Sequence, residues 1–320
     1  SDLCGSLESI FIGGGTPSFL NIKYLEKLFS LIQKYFHFDD NTEFTIECNP
    51  ESVDSEKFQL IANFVNRVSL GIQSFSDQTR TILGRAGDSE RILSTISLLK
   101  QNKNINISCD LIYAIPGQCL DDWLSDLNKA VSSGFNHISA YSLTMEEGAK
   151  LAKHTKPFDN EDLETRMWQA SSEILSRYGI QRYEISNYAK PGKECKHNLE
   201  IWFGDRYFGF GPSASSFCGM TRFSETPDIF LWLKGNSPEV DEISEEFRAV
   251  EILVMGLRTS QGWTKERFFN ATGKNWDIWS KEIREISELG LLNCSNDRLY
   301  CSEKGLLLWN EIGKYLMWRY

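Results

Sequence analysis

The sequence predicts an α/β protein: a partial, TIM-like (β/α)6 barrel followed by a small helical, winged-helix-like domain. Three observations predict it. Six apolar runs alternate with helical segments, polar residues and glycines stand where those runs end, and the pattern changes beyond about residue 225. We therefore predict a barrel domain over residues 1–225 and a C-terminal domain over residues 226–320.

Six strand–helix units follow one another before that boundary. The predicted strands are Ser9–Gly14, Glu43–Pro50, Arg67–Ser74, Ile105–Gly117, His137–Thr144 and Arg182–Ala189. The predicted helices are Asn21–Phe36, Val53–Phe64, two segments that begin at Asp77 and Asp88, one that begins near Asp121, and Glu161–Tyr178. Because successive strand–helix units pair as parallel strands with the helices outside, we expect six parallel strands.

The first predicted strand stops at three glycines, Gly13–Gly15, which are followed by Thr16. Missing side chains either permit a sterically tight turn or allow a ligand to approach the backbone closely. In the second case, an amine or a carboxylate of the ligand meets backbone C=O and N–H groups directly. A short glycine motif is a weak signal by itself, so the other strand ends decide between the two.

Polar residues stand at or near the ends of the other predicted strands: Glu47 and Asn49, Gln73 and Ser74, Asp110, Ser142 and Thr144, and Glu184, Ser186 and Asn187. Each has a structural alternative, such as a helix cap for Glu47 or a core arginine partner for Asp110. A buried carboxylate is costly unless it is paired or faces a polar cavity. Because the carboxyl ends of barrel strands form the active site, we predict one polar cavity at that rim.

The residue types at this rim indicate a ligand. Glu47 and Asp110 suit ribose hydroxyls or an ammonium group, and Arg85 suits a carboxylate through two parallel hydrogen bonds. An amino acid and a ribose in one pocket describe an aminoacyl nucleoside.

Composition excludes several classes of protein. With 34 basic and 44 acidic residues the net charge is −10, which disfavours a general nucleic-acid binder. No apolar run predicts a transmembrane segment. The 8 cysteines form no CxxC or CxxxCxxC group, so we expect reduced thiols in the cytoplasm, or in a mitochondrial or plastid matrix.

A series of ordered sequence blocks carries a resemblance to a known family: GGGTPS, ECNPES, RVSLGIQSF, LGR, CDLIYAIPGQ, SAYSLTMEEG and YEISNYAKPGKECKHNLEIW. Together they resemble the radical S-adenosylmethionine (SAM) proteins of the haem chaperone HemW type, relatives of oxygen-independent coproporphyrinogen III oxidase. The similarity continues through Gly209–Ser216 and Phe247–Gly262, so it covers nearly the whole chain.

The resemblance implies SAM, a 4Fe-4S cluster and haem as cofactors. It maps the SAM contacts of the family onto these positions: Gly14, Gly15, Thr16, Glu47, Gln73, Arg85 and Asp110. It assigns no catalytic residue.

The chain departs from the family at the cluster motif. The family holds its cluster with CxxxCxxC and leaves one iron open for SAM, whereas Cys4 stands alone here. The chain is part of a longer protein, a chain whose cluster loop is not ordered, or a degenerate member; the intact SAM positions favour the first two. The first barrel strand would then be missing as well, and Ser9–Gly14 would form an unpaired edge. A second departure is Gly87, where the family commonly has a histidine.

The segment His197–Trp202, HNLEIW, resembles the HNxxYW stretch to which haem binding is attributed in the chaperone branch. Ile201 replaces the tyrosine. His197 is a candidate axial ligand of haem, because neutral imidazole is a common partner of haem iron. The alternative is a histidine hydrogen-bonded beneath the barrel mouth. Cys195 is a softer candidate ligand, or a packed thiol.

The resemblance therefore implies a haem chaperone that binds haem and SAM and delivers haem to acceptor haem proteins, such as respiratory enzymes. The alternative is an oxygen-independent coproporphyrinogen III oxidase, in which a radical derived from SAM starts an oxidative decarboxylation. A barrel without a cluster that only binds a nucleoside is a third interpretation. A homodimer is one assembly that the sequence allows.

Helix–hairpin–helix order in the last third indicates a winged-helix-like module. Because this segment has no marked basic excess, we expect a lid or a partner-docking surface there, and not a DNA-binding domain. We also expect most of its tryptophans in the core: Trp263, Trp276, Trp279, Trp309 and Trp318.

Overall fold

The structure is a computed structural model that describes residues 6–85, 88–145, 151–153, 155 and 157–318. The chain divides into two compact units, of which the first ends at His197 and the second begins at Asn198. The domain bounds drawn from the sequence, 1–225 and 226–320, stay a prediction. Within the described residues, no helix combines the length and the apolar character needed to cross a membrane.

One sheet organises the first unit. Its strands, as far as the structure describes them, are β1 (Ser9–Ile12), β2 (Glu43–Cys48), β3 (Arg67–Gln73), β4 (Asn106–Tyr113), β5 (His137–Ser142), β6 (Gln181–Arg182) and β7 (Asn187–Ala189). They lie in the order β1-β2-β3-β4-β5-β7-β6, and β1 to β5 are parallel. Their carboxyl ends therefore meet at one edge, as the sequence predicts. Among the described residues, β1 pairs with β2 alone.

The helices of this unit follow the predicted order: α1 (Ile22–Tyr35), α2 (Ser55–Ala62), α3 (Asp77–Ile82), α4 (Ser89–Leu99), α5 (Leu120–Ser132) and α6 (Glu161–Ser176). A further helix that was not predicted from the sequence, α7 (Lys196–Trp202), begins at the end of this unit. Polar side chains define several starts. The side-chain oxygens of Asn21, Asp54 and Asp88 accept hydrogen bonds from backbone N–H groups in the first turns of α1, α2 and α4. Each such cap stabilises its helix by about 1 kcal/mol.

The sixth predicted strand, Arg182–Ala189, is wrong in direction. It is split into β6 and β7, which pair with each other in antiparallel fashion, and β7 also runs antiparallel to β5. The cause is a tight turn, because the Glu184 carboxylate accepts hydrogen bonds from the backbone N–H of Ser186 at 3.0 Å and the Asn187 amide at 2.5 Å. The chain consequently folds back where a parallel strand would have continued.

The second unit holds two small sheets and further helices. Its elements are β8 (Ser215–Cys218), β9 (Thr221–Ser224), α8 (Ile229–Leu233), β10 (Glu239–Glu242), α9 (Glu245–Gly256), β11 (Trp263–Thr264), α10 (Lys265–Thr272), α11 (Ser280–Glu288), β12 (Leu292–Cys294), β13 (Arg298–Cys301), α12 (Glu303–Leu307) and α13 (Trp309–Met317). The predicted hairpin is present as the antiparallel pair β12–β13.

The tryptophans of this unit follow the expectation in part. Trp263, Trp276 and Trp279 are buried, and the Trp263 indole lies so close to Gly256 that a Cβ there would come within 2.2 Å of Trp263 Cε2. Trp309 is half-buried. The expectation is wrong for Trp318, which is 87% exposed near the end of the described chain.

Candidate functional site

Two carboxylates lie on the strands that flank β3 in the parallel sheet. In the strand register Glu47 of β2 lies opposite Ser69 of β3, and Asp110 of β4 lies opposite Gly71 of β3. The Ser69 hydroxyl lies 3.0 and 2.8 Å from the two carboxylate oxygens of Asp110 and donates to that group. Glu47 and Asp110 therefore lie close enough for the charge of one to act on the other.

The electrostatics of this pair favour a positive or hydroxyl-rich ligand. Burial, followed by the charge of Asp110, raises the pKa of Glu47 from 4.5 to about 7, while a hydrogen bond from the backbone N–H of Gly14 opposes the shift. Burial also raises the pKa of Asp110, against hydrogen bonds from Ser139 and Ser69. Since two nearby carboxylates repel each other, an ammonium, a sulfonium or hydroxyl donors placed between them would stabilise the pair.

The three glycines after β1 have different structural reasons. A Cβ on Gly13 would lie 2.6 Å from Phe11 Cε1 and 3.0 Å from Glu47 Oε1, so a side chain there would force the Phe11 side chain to move. Gly14 has a φ of +103°, which disfavours any other residue. Beside Gly15, a Cβ would meet no atom within 4 Å. The turn is thus tight at its start and open at its end, where a ligand has room to approach the backbone.

We expect Gly13→Ala to disturb the site more than Gly15→Ala. The added methyl group pushes against the Phe11 ring and the Glu47 carboxylate, and overpacking of this kind costs about 1–3 kcal/mol. Gly15→Ala, with open space around its Cβ, serves as the matched control. Urea unfolding of both variants measures the difference, and equal stability of the two proteins would contradict this packing.

Gln73 joins the carboxylates, but Arg85 does not. The Gln73 amide nitrogen lies 3.1 Å from the position of a Cβ on Gly71, the residue opposite Asp110. Arg85 follows α3 with an exposed side chain, and its guanidinium makes no hydrogen bond or ion pair with any described residue. Gly87, the second departure from the family, lies outside the described residues.

Thr16 begins the short 3-10 turn Pro17–Phe19 that follows the glycines. Its hydroxyl makes no capping hydrogen bond to that turn. The structure thus brings Gly14, Glu47, Gln73 and Asp110 together, with Thr16 at the end of the same loop.

His197 lies at the opposite end of the strands. Its Nδ1 is 3.2 Å from the hydroxyl of Ser9, the first residue of β1, and its ring stacks on Phe11 with 4.9 Å between centroids. Glu47 is near the carboxyl end of β2, roughly 13 Å of strand beyond Glu43 at its start. Burial lowers the pKa of His197 and so favours the neutral imidazole, whereas the charge of Glu43 opposes that shift.

Glu43 fixes the start of α7 and with it the backbone of His197. Its carboxylate accepts hydrogen bonds from the Cys195 thiol at 3.3 Å and from the backbone N–H groups of Lys196 and His197, both at 3.1 Å. Arg67, only 3% exposed, lies 3.9 Å from the same carboxylate. Cys195 is accordingly a packed thiol bonded to Glu43.

Sequence reasoning missed Glu43 and Arg67. Each is the first residue of a strand, β2 or β3, and each reads as a solvated strand end. The signal that was available is a charged residue of each sign at the starts of adjacent strands, where a short lateral distance makes pairing natural.

The described residues do not fit an iron–sulfur cluster. Among them, no group of three or more histidine, cysteine, aspartate or glutamate side chains is arranged to hold a metal ion. Cys4 lies outside the described residues.

Comparisons with known proteins identify the family and the fold. The sequence model of the radical SAM superfamily matches residues 4–130, and that of the HemN C-terminal domain matches residues 243–308. The coproporphyrinogen III oxidase (HemN) of Escherichia coli, described as a radical SAM enzyme, superposes with a TM-score of 0.84, covering 98% of this chain and 78% of that one. At 18% identity this likeness shows the fold alone, and it confirms the predicted fold class.

Curated relatives are more similar in sequence. The heme chaperone HemW of Bacillus subtilis is 32% identical and the alignment covers 96% of this chain and 84% of that protein. HemW of Lactococcus lactis is 31% identical over 96% of this chain and 83% of that protein. The mitochondrial radical S-adenosyl methionine domain-containing protein 1 of Bos taurus is 30% identical, with 96% and 74% covered. The resemblance seen in the sequence blocks is confirmed, and the chain belongs to the heme chaperone HemW family of radical SAM proteins.

Proposed function

We propose that this chain is a haem chaperone: it binds haem through His197, binds SAM at the rim of the parallel strands, and hands haem to acceptor haem proteins such as respiratory enzymes. The observation that carries the proposal is the state of His197. Its Nδ1 contacts Ser9, its pKa is lowered, and its Nε2 makes no hydrogen bond with any described residue. A metal-binding histidine is held in this way, with one ring nitrogen bonded and the other left for the metal.

The other described histidines do not meet these conditions. His137 is 3% exposed, and both ring nitrogens are engaged, Nδ1 with the Ser108 hydroxyl at 2.6 Å and Nε2 with the Tyr183 hydroxyl at 2.8 Å. His37 is exposed to solvent. Only His197, of these three, combines partial burial with a nitrogen that is ready to bind iron.

The rim residues support SAM as the second ligand. SAM carries an ammonium, a sulfonium and two ribose hydroxyls, all of which Glu47 and Asp110 suit, and the space beside Gly15 admits its amino-acid portion. Gly14, Thr16 and Gln73 complete the proposed contacts. We keep Arg85 as a proposed contact for the carboxylate, since its exposed guanidinium is not engaged elsewhere among the described residues. These residues would bind and orient SAM, and the chemistry of the bound group would be that of the cofactor.

Haem transfer tests the proposal. Haem-loaded protein is mixed with the apo form of a b-type respiratory haem protein or with apomyoglobin, and the transfer rate is followed by absorbance. A chaperone hands over haem inside a complex, so we expect the rate to rise with the concentration of the respiratory acceptor. Passive release gives a rate that does not depend on acceptor concentration, and we expect that behaviour with apomyoglobin.

The same preparation separates the chaperone from the enzyme. A transfer rate that does not depend on the concentration of the respiratory acceptor would contradict the proposal. Conversion of coproporphyrinogen III by protein supplied with SAM and a reductant would instead support the oxidase.

A further inference from the structure

Gln73 has an unusual backbone conformation for its residue type. Its φ of +70° lies in the left-handed region, and the pairing of β3 with β4 shifts register between Gly71 and Gln73. This conformation costs a residue with a side chain roughly 1–2 kcal/mol, so it persists only where the surroundings impose it. Residues on both sides of Gln73 do so.

A buried arginine holds the residue before it. Arg80 of α3 is 2% exposed, and its Nη1 donates a hydrogen bond of 2.7 Å to the carbonyl oxygen of Ile72. The same guanidinium forms an ion pair with Glu51, in which Nη2 lies 3.1 Å from Oε1. The carbonyl that leads directly into Gln73 is thereby fixed.

A buried aspartate holds the two residues after it. Asp126 of α5 is 1% exposed; its Oδ2 accepts a hydrogen bond of 2.6 Å from the Ser74 hydroxyl, and its Oδ1 accepts one of 2.8 Å from the backbone N–H of Phe75. Burying a carboxylate and a guanidinium beside one turn is expensive unless each is fully engaged. The fold accepts that cost on either side of a single glutamine.

We propose that Arg80 and Asp126 are positioning residues, which hold the backbone around Gln73 so that its amide is directed to the side of the sheet where Asp110 lies. Neither residue touches the ligand. They act through Gln73, and they set the affinity of the rim for the sulfonium nucleoside. The identity of the ligand in this inference rests on the function proposed above, whereas the argument about the backbone does not.

Two serines provide a matched test. Ser74 and Ser171 are both 0% exposed, and each makes buried hydrogen bonds, Ser74 with Asp126 and Ser171 with the Trp123 indole at 3.1 Å. Ser74→Ala and Ser171→Ala remove the same hydroxyl group, but only the first loosens the turn at Gln73. Isothermal titration with SAM is run well below the unfolding temperature of each variant. We expect Ser74→Ala to weaken SAM binding about tenfold, since even a small misplacement of a binding group weakens its interaction with the ligand strongly. Ser171→Ala is expected to bind within about twofold of the unsubstituted protein.

A second pair of variants tests the cause. Asp126→Asn retains an oxygen for the Phe75 N–H and an amide for the Ser74 oxygen, so it should restore SAM affinity relative to Asp126→Ala. Glycine adopts a φ of +70° without strain. Because Ser74→Ala releases backbone strain only where Gln73 is present, it should lower the unfolding temperature more in a Gln73→Gly background than it does with Gln73 present.

The outcomes distinguish this inference from the proposed function. Equal SAM affinity in Ser74→Ala and Ser171→Ala would overturn it, and so would an unfolding temperature that falls equally in the two backgrounds. If the unsubstituted protein does not bind SAM, the proposed SAM site fails. The unfolding temperatures measured with Gln73 and with Gln73→Gly then still decide whether the surroundings hold the turn against strain at Gln73.

Discussion

Glu43→Ala is expected to lower the free energy of unfolding by about 3 kcal/mol, because it leaves the buried Arg67 guanidinium without its carboxylate. The thiol of Cys195 and the N–H groups of Lys196 and His197 lose their acceptor at the same time. We therefore also expect weaker haem binding by the folded variant. Urea unfolding and haem titration measure the two effects.

An exposed glutamate supplies the control for Glu43. Glu8 lies in the segment leading to β1, and its side chain is exposed, so Glu8→Ala should change stability by no more than about 0.5 kcal/mol. A loss below about 1 kcal/mol for Glu43→Ala would show that the Glu43–Arg67 pair does not hold this end of the barrel.

Glu47→Gln is expected to make the protein more stable at pH 8 and to leave stability unchanged near pH 4.5. The folded-state pKa of about 7 lies above the usual 4.5, so the folded protein binds a proton that the unfolded chain has lost. The stability that proton binding at Glu47 contributes is complete below pH 4.5 and disappears as the pH rises through 7. For a half-buried side chain, solvent screening reduces the difference to about 1–2 kcal/mol. Glutamine carries no charge and avoids the loss.

Urea unfolding at the two pH values checks this prediction, with Glu26→Gln on the exposed face of α1 as the control. A variant no more stable than the original at pH 8 would contradict the raised pKa. The stabilised variant should bind SAM more weakly, because the negative charge of Glu47 that lowers stability at pH 8 is the one that attracts a cationic ligand.

Helices and strands, whose apolar residues recur at regular intervals, were predictable from the sequence, and features that depend on tertiary contacts were not. Strands β1 to β5 lie within four residues of their predicted bounds, because an apolar run that ends in a polar residue is a local signal. Once those strands are parallel, the register places Glu47 and Asp110 on the two strands that flank β3, two residues apart along it. The turn at Glu184–Asn187 depends on side-chain hydrogen bonds that no periodicity encodes, and so the sixth strand was wrong.

The supports of the candidate site were hidden for a similar reason. Arg80 and Asp126 lie on amphipathic helices, where a charged residue ordinarily faces solvent. Both are buried, because the turn at Gln73 needs partners that its own chain segment does not supply. Nor does the sequence reveal that His197 returns to the amino-terminal end of the strands, since the path of a connecting segment has no periodic signal.

Haem titration of the purified protein tests the central claim most directly. Haem is added in steps to the unsubstituted protein, to His197→Ala and to the control His37→Ala, and the Soret band is recorded. We predict a Soret shift that saturates near one haem per chain in the unsubstituted protein and in His37→Ala, and that is strongly weakened in His197→Ala. A saturable shift that His197→Ala leaves unchanged, or no saturable shift in any of the three proteins, would contradict the account.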